Sequence, residues 1–152
     1  MSKTPGFDTA LAHRFFSADC FNKTWEFIEK PERTSDDDER MIRLAQTSMW
    51  HWTNRPDCKR QQMSIGYWLL ARVYAIAGRT QDARRYADLC LQNSQGEAPF
   101  YLAYAYEALA RAEKAGGNSV LSAEYKAEAG RLAETVDDAG DRKALMDDLA
   151  SI

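Results

Sequence analysis

The chain has 152 residues, 45% of them hydrophobic and 28% charged, with a formal net charge of -3. That length holds one domain with a sizeable core, and the composition is globular rather than that of a disordered tail. The slight acidity offers no basic footprint for nucleic acid, and no apolar run approaches the roughly 20 residues that a membrane-spanning helix needs.

Only four prolines and eight glycines interrupt the sequence, which favours long helices. Met1 to Phe7 contains no apolar h-region, so secretion through a cleaved leader is not expected. Periodicity predicts a first helix from about Asp8 to Glu29, with Leu11, Phe15, Ala18, Asn22 and Trp25 on one stripe and Phe21 and Ile28 widening it. Pro31 ends that helix, because the residue before a proline is pushed out of the helical region. Thr34 and Ser35 then offer capping oxygens, and Asp36 to Glu39 fall in a first turn, where the helix dipole favours negative charge. As a metal site this acidic run is poor, since consecutive residues spread around a helix.

Helix two runs through Met41, Ala45, Met49 and Trp52 to Arg55-Pro56, and helix three, with Asp57 as its cap, reaches Ala77. Gly78 closes helix three, and Thr80 caps helix four, which extends to about Asn93. After a turn at Ser94-Gln95-Gly96, helix five carries Tyr101, Tyr104 and Leu109 to the break at Gly116-Gly117-Asn118. Ser119 opens helix six, which is expected to pass Leu132 and Val136. Ala139-Gly140 breaks it, and Asp141 starts a short last helix with Leu145, Met146 and Leu149 on one face. No segment shows the period-two alternation of a strand.

Within this helical series the sequence repeats itself. Tyr67-x-x-Leu70-Ala71-Arg72, then Gly78, Thr80 and Tyr86, recur thirty-nine residues later as Tyr106-x-x-Leu109-Ala110-Arg111, Gly117, Ser119 and Tyr125. Such a period signals stacked helical hairpins, each too small to bury its apolar face alone. Ala71 and Ala83 are small where the helices of a hairpin approach closest, while Tyr67, Leu70 and Tyr74 fill the flanking space. The second copy departs at Glu113, which stands for Tyr74, and at Ser122, which stands for Ala83.

Residues 67–91 resemble a tetratricopeptide repeat, with Tyr67, Leu70, Ala71, Tyr74, Gly78, Ala83, Tyr86 and Cys90 in its large and small core places. The resemblance covers about half of the chain, and its period exceeds the usual repeat of about 34 residues. It implies an all-α fold of stacked antiparallel helical hairpins, an α-α superhelix, with a C-terminal capping helix. Residues 1–152 then form a single helical-repeat domain, with hairpins at about 8–54, 58–94 and 97–137 and a cap at 141–151. It also implies a concave face built from the first helix of each hairpin, lined by Ile65, Trp68, Arg72 and Ile76 and by Tyr104, Glu107, Arg111 and Lys114. Arg72 and Arg111 are repeat equivalents and are expected to project in parallel. In the family's carboxylate-gripping grooves basic side chains hold an acidic peptide end, but Trp68 and Glu107 stand here where those grooves want a basic residue. Glu107 lies four residues before Arg111, a spacing that pairs the two on a solvated face instead.

The remaining chemistry is sparse. Cys20, Cys58 and Cys90 form no C-x-x-C pair, so a disulfide framework and structural zinc are both poorly supported, and a reduced, cytoplasmic setting is the simplest reading. The two histidines, His13 and His51, belong to no metalloprotease or di-iron motif. They either pack among aromatics or converge with Asn22 or Glu39 as a ligand or proton-transfer site. Trp50 and Trp52 point about 160° apart on a helix, so at least one of them belongs on a surface, a groove or a partner. No catalytic triad is readable, and Gly116-Gly117 lacks the preceding strand and following Lys-Ser/Thr of a phosphate loop.

The leading expectation is therefore a non-catalytic, cytoplasmic, bacterial-type adaptor that binds a protein or peptide, acidic in the gripping version, with no cofactor and no nucleic-acid or membrane partner. Its rivals are a small-molecule or metal-binding protein, or an enzyme, using the His13/His51/Trp pocket, and a structural homo-oligomer such as a homodimer.

Overall fold

Caps and breakers divide the chain into seven helices among the described residues, which are 3–152 of the computed structural model: α1 (Thr9–Ile28), α2 (Ser35–Thr53), α3 (Arg60–Ile76), α4 (Thr80–Ser94), α5 (Pro99–Ala115), α6 (Ser119–Ala133) and α7 (Ala139–Ala150). No strand occurs among the described residues. Residues 1 and 2, which open the stretch read for a leader, lie outside them. No helix among the described residues is long and apolar enough to cross a membrane. The chain packs as two compact units, Met1–Lys59 and Arg60–Ile152, where the sequence reading treats 1–152 as one domain.

The first unit is the α1–α2 hairpin. Asp8 caps α1 through the Leu11 amide, and Thr34 caps α2 in a reciprocal box with Asp37. The face of α1 that packs is not the expected one. Leu11 and Phe15 are 64% and 58% exposed, and the buried positions are the small residues Ser17, Cys20 and Thr24. The α1 sequence is apolar nearly all round, so periodicity alone does not select a face, and small side chains let the two helices approach closely. Hydrogen bonds mark that approach: the Ser48 hydroxyl donates to the Ser17 carbonyl at 2.7 Å, and Arg55 donates to the Ser17 hydroxyl at 2.9 Å. Helix α2 supplies the larger side chains of the seam, burying Met41, Ile42, Ala45 and Met49. The Asp57 carboxylate takes two donors of Arg55, at 2.9 and 2.6 Å.

The second unit stacks the antiparallel hairpins α3–α4 and α5–α6, with α4 and α3 both packed on α5, and closes with α7 against α5 and α6. The internal repeat is visible in the packing. The Tyr67 and Tyr86 rings lie 6.0 Å apart, and so do their equivalents Tyr106 and Tyr125. Gly78 and Gly117 turn their hairpins at φ of 75° and 78°, a left-handed conformation that costs glycine little. The two departures from the repeat are both compensated. The Ser122 hydroxyl donates to the Ala110 carbonyl at 2.8 Å, and Glu113 receives a forked pair of bonds from Arg84 at 2.8 and 2.9 Å.

The last break falls earlier than expected. Helix α6 ends at Ala133, Val136 is buried in the connecting turn, and α7 starts at Ala139 because Asp138 accepts from the Asp141 amide at 2.8 Å. Gly140 is thus inside α7 rather than a breaker, and Met146, expected beside Leu145 and Leu149, is exposed.

Ala71, Ala83 and Ala110 are buried at the hairpin seams as the repeat register requires. Replacing Ala71 with Leu is expected to overpack the α3–α4 seam and cost about 1–3 kcal/mol. A thermal melt unchanged by Ala71→Leu would contradict this register.

Candidate functional site

In the second unit, Trp68 and Arg72 on α3, Tyr104, Glu107 and Arg111 on α5, and Asp148 on α7 meet in one connected network. Glu107 is its centre and is fully buried. The Trp68 indole N–H donates to Glu107 Oε2 at 2.7 Å, Arg111 Nε donates to Oε1 at 2.9 Å, and Arg72 Nη1 lies 3.9 Å from Oε1. A second acceptor comes from α7. Asp148 receives Arg72 Nη1 at 3.2 Å on Oδ1 and the Tyr104 hydroxyl at 3.0 Å on Oδ2. Arg111 Nη2 reaches the Asp148 carbonyl at 3.2 Å and the Ser151 hydroxyl at 2.8 Å. Burial first, and the Asp148 carboxylate second, push the Tyr104 hydroxyl well above its ordinary value, so it stays a proton donor to that carboxylate.

The repeat explains why these groups meet. Trp68 and Glu107 occupy equivalent positions on stacked first helices, as do Arg72 and Arg111, so the stack places each pair side by side. Four of the five residues expected on the binding face, Trp68, Arg72, Tyr104 and Arg111, are brought together; Lys114 lies exposed near the C-terminal end of α5. The two guanidinium groups are engaged by Glu107 and Asp148, so the Glu107–Arg111 pair forms in a buried seam rather than on a solvated face. Asp148 was not singled out in the sequence, although its place three residues after Leu145 puts it next to the apolar face of α7.

Beside this network lies a cavity of about 170 Å³, lined by Ser64, Ile65, Trp68, Phe100, Tyr101 and Tyr104. Trp68 meets Tyr104 edge to face at 5.2 Å, and Phe100 meets Tyr104 likewise at 5.1 Å. Three polar groups of the lining are already used: Ser64 bonds Ser94 at 2.8 Å, Trp68 bonds Glu107, and Tyr104 bonds Asp148. What remains open to an occupant is almost entirely apolar surface.

The first unit carries the second candidate. His13 and His51 do meet, with their Nδ1 atoms 2.9 Å apart, while Trp50 lies 5.3 Å from the His13 ring and Phe16 lies 5.4 Å from the His51 ring. Asn22 and Glu39, the other two residues proposed for that site, do not join. Both are exposed, and each is on its own helix nine and twelve residues from the histidine, roughly 13 and 18 Å along the axis. Trp50 is the outward member of its tryptophan pair, 59% exposed, and Trp52 carries the Arg55 guanidinium 3.8 Å above its ring. Phe7, Leu11, Phe15 and Phe16 are exposed as well.

Thiol chemistry is disfavoured at all three cysteines. Burial raises the thiols of Cys20 and Cys58 above their ordinary value and pushes Cys90 up to about 12, and a protonated thiol is a poor nucleophile. With the geometry in place, comparison with protein-family models, curated proteins and solved structures returns no match to this chain.

Proposed function

We propose that the chain is a non-catalytic adaptor whose second unit binds a peptide segment of a partner protein through one apolar anchor side chain. The observation that carries this reading is the ring-lined cavity between α3 and α5. Its volume, about 170 Å³, is close to that of the roughly 150 Å³ cavities that accept a benzene-sized group. One Phe or Leu side chain fills such a space, and an anchor buried in a preformed pocket supplies much of the energy of a peptide interface. The resemblance of residues 67–91 to tetratricopeptide repeats supports a groove on the first helices, although fold likeness alone is a weak warrant for function.

The reading differs from the expected arginine grip on an acidic peptide end. Such an end would have to displace Asp148 from Arg72 and Tyr104, whereas an apolar anchor enters beside the network and leaves its bonds intact.

Peptide display on the intact chain, followed by titration of the selected peptides, tests the proposal. Selected sequences are expected to share an aromatic residue or Leu. Ile65→Glu, which puts a charge at the half-buried rim of the cavity, is expected to weaken them about 10- to 100-fold, the equivalent of one lost apolar anchor. Binding that is insensitive to salt supports the apolar anchor, while affinity that falls steeply with salt and survives Ile65→Glu refutes it in favour of the arginines.

A further inference from the structure

His13 on α1 and His51 on α2 face each other through their Nδ1 atoms rather than through the outer edges of their rings, at 2.9 Å and with ring planes inclined by 54°. We infer that these two imidazoles form a binding site for a divalent late transition metal, with copper(II) the favoured ion. At a metal–nitrogen distance of about 2.05 Å, two ligand nitrogens are about 2.9 Å apart when they meet at a right angle and about 3.3 Å apart at the tetrahedral angle. The observed separation, that of a hydrogen-bonded pair, keeps the two nitrogens within the span at which both reach one ion. Copper(II) stands at the top of the affinity order for nitrogen ligands.

The ion takes the place of the single proton between the two Nδ1 atoms, that proton moves to Nε2 of the ring that carried it, and both imidazoles then serve as neutral ligands. No cluster of three or more His, Cys, Asp or Glu residues suited to a metal occurs among the described residues, so the chain supplies two ligands. The remaining coordination positions face an open recess of about 560 Å³ walled by Phe7, Phe16 and Trp50, with room for water or a small exogenous ligand. Imidazole donors without carboxylate or carbonyl oxygens exclude the hard cations magnesium and calcium.

The test is titration of copper(II) into the full chain, read by calorimetry and by electron paramagnetic resonance. The expected result is one equivalent bound, with hyperfine structure from two imidazole nitrogens. His13→Ala and His51→Gln are each expected to weaken binding by more than the roughly 10- to 100-fold that loss of an outer-sphere partner brings. Circular dichroism checks that both variants stay folded, and Cys20→Ser, in the same recess, is expected to bind as wild type does. Absence of stoichiometric binding, a spectrum without two imidazole nitrogens, or undiminished binding in either folded histidine variant would overturn the site.

Discussion

Glu107→Ala is expected to destabilise the second unit by about 3–5 kcal/mol, because it removes the anion on which two largely buried guanidinium groups converge. The side chain of Glu107 is fully buried, while those of Arg72 and Arg111 are 12% and 16% exposed, so water cannot replace the lost carboxylate. The cost should fall near the lower end of that range, since Arg72 keeps Asp148, and Arg111 keeps the Asp148 carbonyl and Ser151. The Trp68 indole N–H loses its acceptor as well, which adds the penalty of an unpaired buried donor. A second variant separates the net worth of the pair from the damage of breaking it. Glu107→Met combined with Arg111→Met removes both charges together, and most of the stability should return, as buried pairs often break even against apolar replacements. Urea denaturation of the three proteins measures both effects. A loss below about 1 kcal/mol in Glu107→Ala would mean that the network is solvated rather than buried.

The contrast between the two halves of the chain shows what a single sequence makes legible. From Tyr67 to Tyr125 the repeat carried its own register: the alanines at the seams, the left-handed glycines and the paired tyrosines all fell where the periodicity put them. The concave face that the resemblance implies grouped Trp68, Arg72, Tyr104, Glu107 and Arg111, and the offset set Arg72 beside Arg111. It did not reveal that the arginines are already taken, because their second acceptor, Asp148, comes from a helix outside the repeat. In α1 the signal failed for a different reason. Phe15, Phe16, Phe21 and Leu11 surround the helix, so any face looks apolar, and the seam was decided by the small residues Ser17, Cys20 and Thr24, which hydropathy undervalues. The meeting of His13 and His51 depends on how α1 pairs with α2, a long-range register that no spacing along either helix encodes. Asn22 and Glu39 were excluded from that site by arithmetic available from the start, since both lie on the histidines' own helices and more than two turns away.

Leu145→Ala is expected to cost about 2–5 kcal/mol, in the upper half of that range, although it changes a helix at the end of the stack. Leu145 is fully buried in a cluster with Ala103, Ala129, Ala133, Val136 and Leu149, and Phe100, Tyr104, Tyr106, Leu132 and Ile152 pack against it. The alanines have no side-chain torsions with which to fill a void, and their backbones are held in α5 and α6, so the vacated space closes only in part and a cavity penalty adds to the lost transfer energy. The loss should extend to the neighbouring network, because α7 presents Asp148 to Arg72 and Tyr104 only while Leu145 and Leu149 hold the helix down. Asp148→Ala provides the comparison: it removes the same polar contacts without a cavity and should cost less than Leu145→Ala. Native-state hydrogen exchange distinguishes the two. In Leu145→Ala the α7 amides should lose protection first and by the largest factor, as expected for the terminal element of a stack in which each part contacts only its neighbours. Unchanged α7 protection in Leu145→Ala would show that the cap is held by its polar contacts instead of its apolar face.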